Sequence, residues 1–314
     1  MEYIILIVSL AGIVFGADYL VAGAVSIAKR FRVSDFVIGA AIIGVGTSMP
    51  EFVVSFLGAL SGNSDVAIGN VVGSNIFNIL GILGITALFS PIAICKQNLK
   101  FEIPLCIGAS ILLAILAFNF FNNTPHIISR LDGILLLIVF AIFMWYSFTQ
   151  GRGEDTTTAV EVENTSPLWM AVIKVIGGLA LLITSCDFFV DNAVIIAKSF
   201  GVSDAFISLT LIACGTSLPE LAASVAAAVR RNTDMALGNI IGSNIFNITL
   251  ILGVSSQAMP LTSSGITYVD YGVMIVAAIL PLIIGFRGRI GRVSGLFMLL
   301  GFVVYNLYLV TNQI

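Results

Sequence analysis

Glu51 and Glu220 each stand in the middle of an apolar run, and each follows a proline within one recurring string. It reads GVGTSMPE over residues 44–51 and ACGTSLPE over 213–220. A carboxylate at membrane depth costs roughly 3 kcal/mol or more unless something compensates it. Pro50 and Pro219 remove a backbone donor and clash with the carbonyls four residues back, at Gly46 and Gly215. Glycines at 44, 46 and 215 loosen the helix further. A kinked or broken helix is expected, with free carbonyl oxygens beside a carboxylate. Irregular backbone at this depth is tolerated only where it is buried or lines a wet cavity.

Spacing brings more oxygen to the same place. Thr47 and Ser48 precede Glu51 by four and three residues and share its helix face, as Thr216 and Ser217 do for Glu220. Ser74 and Asn78 are four apart in the next apolar run, as are Ser243 and Asn247. Gly69 with Gly73, and Gly238 with Gly242, form small faces for close helix approach. Hard oxygen donors of this kind suit Ca²⁺ and Na⁺ rather than zinc or copper. Two ionised glutamates give a charge of about −2, which one Ca²⁺ neutralises or several Na⁺ replace. With neither bound, the buried charge is unpaired and opposes crossing.

The remaining chemistry is sparse. His126 is the sole histidine and falls in a loop, which excludes H-E-x-x-H zinc and intramembrane Ser/His hydrolases. Cys95, Cys106, Cys186 and Cys214 are scattered and read as membrane thiols. No enzyme activity and no cofactor are expected; Ca²⁺ and Na⁺ would be cargo. Asp18 and Asp187 stay outside the donor set, and Asn63 and Asn232 read as helix caps.

Positioning such a site falls to helices. Of 314 residues, 58% are apolar and 10% charged. That is too little charge to cover a water-facing surface. The balance of 14 Lys+Arg against 17 Asp+Glu excludes a nucleic-acid binder. An all-α polytopic membrane protein follows, with ten transmembrane helices near 3–28, 36–61, 66–89, 103–121, 127–149, 168–197, 205–229, 236–258, 268–286 and 293–312. Twelve basic residues fall on the side of the odd-to-even connections and two, Arg130 and Lys198, on the other. The positive-inside rule puts both termini outside.

Residues 18–84 align with 187–253 at a constant offset of 169, with about half the positions identical. Five spans separate the copies, so the second enters the membrane upside down. Turn charges agree: Ser61-Gly62-Asn63 carries no cation, whereas Arg230-Arg231-Asn232 carries two. The expected domains are two inverted five-helix repeats, 1–149 and 168–314, joined by a cytoplasmic linker at 150–167. That linker contains the polar run GRGEDTTTAVEVENTS, which lacks EF-hand spacing. Inverted repeats with a site at the midplane are typical of secondary transporters.

GTSMPE and GTSLPE, with the paired GNVVGSNIFN and GNIIGSNIFN, resemble the Na⁺/Ca²⁺ exchanger family of the Ca²⁺/cation antiporters, most of all its small prokaryotic members. The resemblance implies a secondary antiporter that exchanges Na⁺ for Ca²⁺ by alternating access and normally extrudes Ca²⁺, in the cell (inner or plasma) membrane. It implies Ca²⁺ on the carboxylates of Glu51 and Glu220 and the main-chain carbonyls of Thr47 and Thr216. Na⁺ would use Ser48, Ser74, Ser217, Ser243 and the carbonyls of Gly44 and Ala213, with Asn78 and Asn247 at the centre. The lipid bilayer is the expected partner, with no nucleic acid and no protein partner required. K⁺-dependent relatives carry Asp at the position of Asn247, so the amide here disfavours K⁺ co-transport. An H⁺- or K⁺-coupled Ca²⁺ or Mn²⁺ antiporter, or a cation channel, are the alternatives.

Overall fold

The computed structural model describes residues 2–31, 33–119, 124–125, 127–150, 167–199, 215–262 and 265–312. Expectations for Ala213, Cys214, His126, the linker segment 151–166 and the first half of the span 205–229 lie outside the described residues.

The described chain is helical. Its helices are α1 (Glu2–Phe31), α2 (Asp35–Thr47), α3 (Met49–Leu60), α4 (Ser64–Phe89), α5 (Asn98–Ala117), α6 (Arg130–Gln150), α7 (Leu168–Ser199), α8 (Leu218–Val229), α9 (Thr233–Ala258), α10 (Tyr268–Gly285) and α11 (Arg292–Asn312). Among the described residues eight helices are long and apolar enough to cross a membrane, or nine if α2 and α3 count as one bent span. Ten spans were expected, and the shortfall falls at 205–229, of which 215–229 is described and contains α8, an apolar helix of 12 residues, shorter than a full span.

The expected break is present. α2 and α3 meet at 50°, with Ser48 alone between them and Pro50 in the first turn of α3. Proline is tolerated there because the first-turn N–H groups have no intrahelical acceptor. Pro219 occupies the matching place in α8. The caps also hold: the Asn63 side chain accepts from the Val66 N–H and Asn232 from the Met235 N–H.

α4 and α9 form the centre. Within their apolar windows 83% and 89% of residues are buried, against 22% for α6 and 17% for α11. Both central helices widen into π-helical turns that begin at the end of the repeated motif, at Phe77–Leu83 and Asn247–Ile251. Such widened turns are frequent at functional sites. α2 crosses α9 so closely that a Cβ at Gly238 would strike the Phe36 carbonyl, and one at Gly39 the Met235 carbonyl.

Short antiparallel strand pairs tie the halves together. β1 (Ile92–Ala93), which follows α4, pairs with β6 (Arg289–Ile290) before α11. β5 (Leu261–Thr262), which follows α9, pairs with β4 (Ile127–Ile128) before α6. β5 stands at the repeat offset from β1. A third pair, β2 (Phe118–Asn119) with β3 (Thr124–Pro125), is local.

α1 and α7 lie against each other through glycine. A Cβ at Gly16 would meet the Leu182 backbone, and one at Gly178 the Leu20 backbone. An ion pair joins α1 to the core: Arg230, just past α8, donates from Nε to Asp18 Oδ1 at 2.7 Å. The Asp18 and Arg230 side chains are 53% and 39% exposed. Pairs this accessible are worth at most about 1 kcal/mol. Arg230→Ala is therefore expected to shift the thermal unfolding of the solubilised protein by a degree or two; a larger drop would show a desolvated pair.

Candidate functional site

The break at Ser48 decides how the site is built. In an unbroken helix Thr47 and Ser48 would sit on the face of Glu51. With the chain bent at Ser48, that side chain is aimed across the molecule, and its Oγ donates to Glu220 Oε1 at 2.8 Å. The reciprocal bond is identical in length: Ser217 Oγ donates to Glu51 Oε1 at 2.8 Å. Each glutamate is thus held by the serine of the other half, and both are fully buried.

Further pairs follow the same offset. Asn70 Nδ2 donates to the main-chain oxygen of Glu51 at 3.2 Å and to Ser55 Oγ at 2.9 Å. Asn239 Nδ2 donates to the main-chain oxygen of Glu220 at 3.2 Å and to Ser224 Oγ at 2.8 Å. These bonds fix the first turn of α3 on α4 and of α8 on α9.

The other expected donors converge here. Ser217 Oγ lies 3.3 Å from Ser74 Oγ, and Ser243 Oγ donates to the Gly44 carbonyl at 3.4 Å. The Thr47 hydroxyl is taken up by the Ile43 carbonyl at 2.9 Å and lies 3.4 Å from Asn239 Oδ1, which leaves its main-chain oxygen as the candidate donor. Asn78 and Asn247 are buried between α4 and α9. Ala213 lies outside the described residues.

Glu51 Oε2, Glu220 Oε2, Asn78 Oδ1, Asn247 Oδ1 and Thr216 Oγ1 are buried without a hydrogen-bond partner in the protein. Buried polar atoms are almost always satisfied, and a carboxylate oxygen is the most expensive to leave bare. Five such atoms, four of them related by the repeat offset, form a cluster of buried oxygens able to accept a cation. Among the described residues no group of three His, Cys, Asp or Glu side chains gathers to hold a metal. The donors are two carboxylates supplemented by neutral oxygens, which excludes a soft-metal centre.

Four residues beyond the expected donors belong to this network: Asn70, Asn239, Asn75 and Asn244. All are inside the repeated GNxxGSNIFN string and recur at the same offset, so the repeat itself carried the signal. Ser55 and Ser224, which accept from the first two, also recur.

The model of the family described as "Sodium/calcium exchanger protein" matches residues 1–149 and 170–311. CaxA of Alkalimonas amylolytica is 38% identical, with 98% of each chain covered. The sodium/calcium exchanger MaX1 of Methanosarcina acetivorans is 31% identical over 97% of each chain. A solved structure of the sodium-calcium exchanger NCX_Mj, soaked with zero Na⁺ and Ca²⁺, superposes with a TM-score of 0.85 at 33% identity, covering 98% of each chain. The sequence match runs through both motif copies, and the structural match extends over nearly the whole chain. With both glutamates buried in the first turns of α3 and α8, the chain belongs to the sodium/calcium exchanger family and is an integral membrane cation antiporter.

Proposed function

We propose that the protein exchanges Na⁺ for Ca²⁺ by alternating access and extrudes Ca²⁺ on influx of Na⁺. The observation that carries this reading is the set of bare buried oxygens from mirror-related positions, above all Glu51 Oε2 and Glu220 Oε2. Ca²⁺ takes six to eight oxygens at about 2.3–2.6 Å in a tolerant geometry. It would sit on the two carboxylates with the carbonyls of Thr47 and Thr216. Na⁺ would use Ser48 and Ser243 with the Gly44 carbonyl on one side, and Ser217 and Ser74 with the Ala213 carbonyl on the other. Asn78 and Asn247 would complete the centre. The convergence of Ser243 on Gly44 and of Ser217 on Ser74 supports the two flanking positions.

Charge gives the coupling. About −2 from the glutamates is matched by one Ca²⁺ or by several Na⁺, and the bare site resists crossing because its charge has lost its water. The layout that serves this is ten spans in two inverted five-helix repeats, 1–149 and 168–314, with both termini outside a plasma or inner membrane and the linker 150–167 in the cytoplasm. α1 and α7, packed on each other through glycine, with Asp18 of α1 paired to Arg230 beside the core, are the elements that tilt or slide to open the site to each side in turn. The names of MaX1 and NCX_Mj support sodium as the counter-ion.

Purified protein in vesicles tests the coupling. Vesicles loaded with Na⁺ and diluted into Na⁺-free medium should take up radioactive Ca²⁺, and vesicles carrying only a K⁺ or pH gradient should not. Uptake driven equally by K⁺ or pH would replace sodium as the coupling ion. Ca²⁺ flux with no counter-cation would make the protein a channel.

A further inference from the structure

Asn75 and Asn244 face each other where α4 crosses α9, and both are buried. Asn75 Nδ2 donates to the main-chain oxygen of Asn244 at 3.2 Å, and Asn244 Nδ2 to the main-chain oxygen of Asn75 at 3.5 Å. Their side-chain oxygens are then committed in the other direction. Asn244 Oδ1 accepts from Asn78 Nδ2 at 3.0 Å, and Asn75 Oδ1 accepts from Asn247 Nδ2 at 3.2 Å.

The directions in this network are not free. An asparagine amide has an acceptor end and a donor end of nearly equal size, so its orientation is set by what it bonds. A main-chain carbonyl can only accept. The two carbonyls therefore force Asn75 and Asn244 to present Nδ2 to the backbone and Oδ1 to the neighbouring amides. Those oxygens in turn can only accept, so Asn78 and Asn247 must use their Nδ2 groups on them. What remains of Asn78 and Asn247 is Oδ1, and in both residues that atom is buried without a partner in the protein. Both carbonyls precede the π-helical turns that start at Phe77 and Asn247. The ladder changes register there, which eases acceptance of a cross-helix bond.

We infer that Asn75 and Asn244 form an amide clasp that orients Asn78 and Asn247 so that each presents oxygen, never its NH₂ group, to the cation. Asn75 and Asn244 are positioning residues: they touch the two amides and not the ion. In this chain the clasp supplies at position 247, with a neutral side chain, the oxygen that a carboxylate presents in either rotamer. The inference rests on the cation site proposed above.

The test is a Ca²⁺ titration of the solubilised full chain in Na⁺-free buffer by calorimetry, with Ca²⁺ uptake in vesicles alongside. Asn75→Leu leaves the Asn247 amide without its acceptor, and half-saturation by Ca²⁺ should rise about tenfold. Adding Asn247→Asp should bring it back to within about threefold, because a carboxylate presents oxygen whichever way it turns. Asn247→Asp should not repair Asn244→Leu, whose lost partner is Asn78; Asn78→Asp should. A purely structural role for Asn75 and Asn244 would show no such pairing. Unchanged half-saturation in Asn75→Leu overturns the clasp, as does a loss that Asn247→Asp leaves unrepaired or repairs equally well for Asn244→Leu. Should Asn75→Leu not elute as a folded species, Asn75→Ala removes the same acceptor with less bulk and takes its place. Absence of Ca²⁺ binding by the unsubstituted chain would instead remove the cation site.

Discussion

Glu51→Gln and Glu220→Gln should each abolish Ca²⁺ uptake while leaving a folded protein in the membrane. Glutamine has nearly the same shape and keeps an oxygen that can accept from Ser217 or Ser48, so the cross-bonds between the halves can persist. What it loses is one unit of the charge that a divalent cation needs, at a position where both carboxylates are buried. Coulomb attraction there is far stronger than at a surface. A loss of at least about 100-fold in uptake at fixed Ca²⁺, about 2.7 kcal/mol, is the expected magnitude. Initial-rate uptake in vesicles, normalised to folded protein by size-exclusion chromatography, measures it. The two substitutions should be similar in effect because the two carboxylates have the same surroundings. Near-normal transport by either variant would take that glutamate out of the site.

Gly238→Val is the structural counterpart. A Cβ at residue 238 would run into the Phe36 backbone, with Phe36 Cα only 3.0 Å away. Backbone cannot rotate aside as a side-chain tip can, so α2 must be pushed off α9. α2 carries Gly44 and Thr47 and is followed at once by Ser48, so the displacement reaches the site directly. Overpacking at a contact of this kind costs on the order of 3 kcal/mol, and a β-branched residue adds further bulk. Thermal unfolding of the solubilised variant should show a large fall in midpoint or no folded fraction at all. Wild-type stability would mean that α2 and α9 do not cross at this distance.

Much of the protein was legible in its sequence because a membrane simplifies the code. Apolar runs of about 20 residues must be helices, since no water is available to satisfy a bare backbone. A glutamate within such a run must be functional or paired. The repeat offset then named the partner of every residue: Glu51 with Glu220, Ser74 with Ser243, Asn78 with Asn247. Pro50 announced the break between α2 and α3, because a proline cannot sit four residues beyond a free helical carbonyl without bending the chain.

Tertiary structure decided what those residues do to one another. Helical spacing put Ser48 beside Glu51, yet the 50° bend sends its hydroxyl to Glu220. Hydroxyls that look alike in sequence divided into Thr47, whose shortest bond, at 2.9 Å, is to its own helix with a longer one of 3.4 Å to Asn239 Oδ1, and Ser48, Ser74, Ser217 and Ser243, whose bonds run across the halves. Asn75 and Asn244 gave no individual signal, because the direction of an amide depends on which carbonyl lies opposite. That carbonyl belongs to a helix more than 160 residues away in the chain. The residue types, their depth and their symmetry are local properties and can be read along a line. Which oxygen is satisfied and which is left for a cation depends on the crossing of α4 and α9, and no one-dimensional pattern contains it.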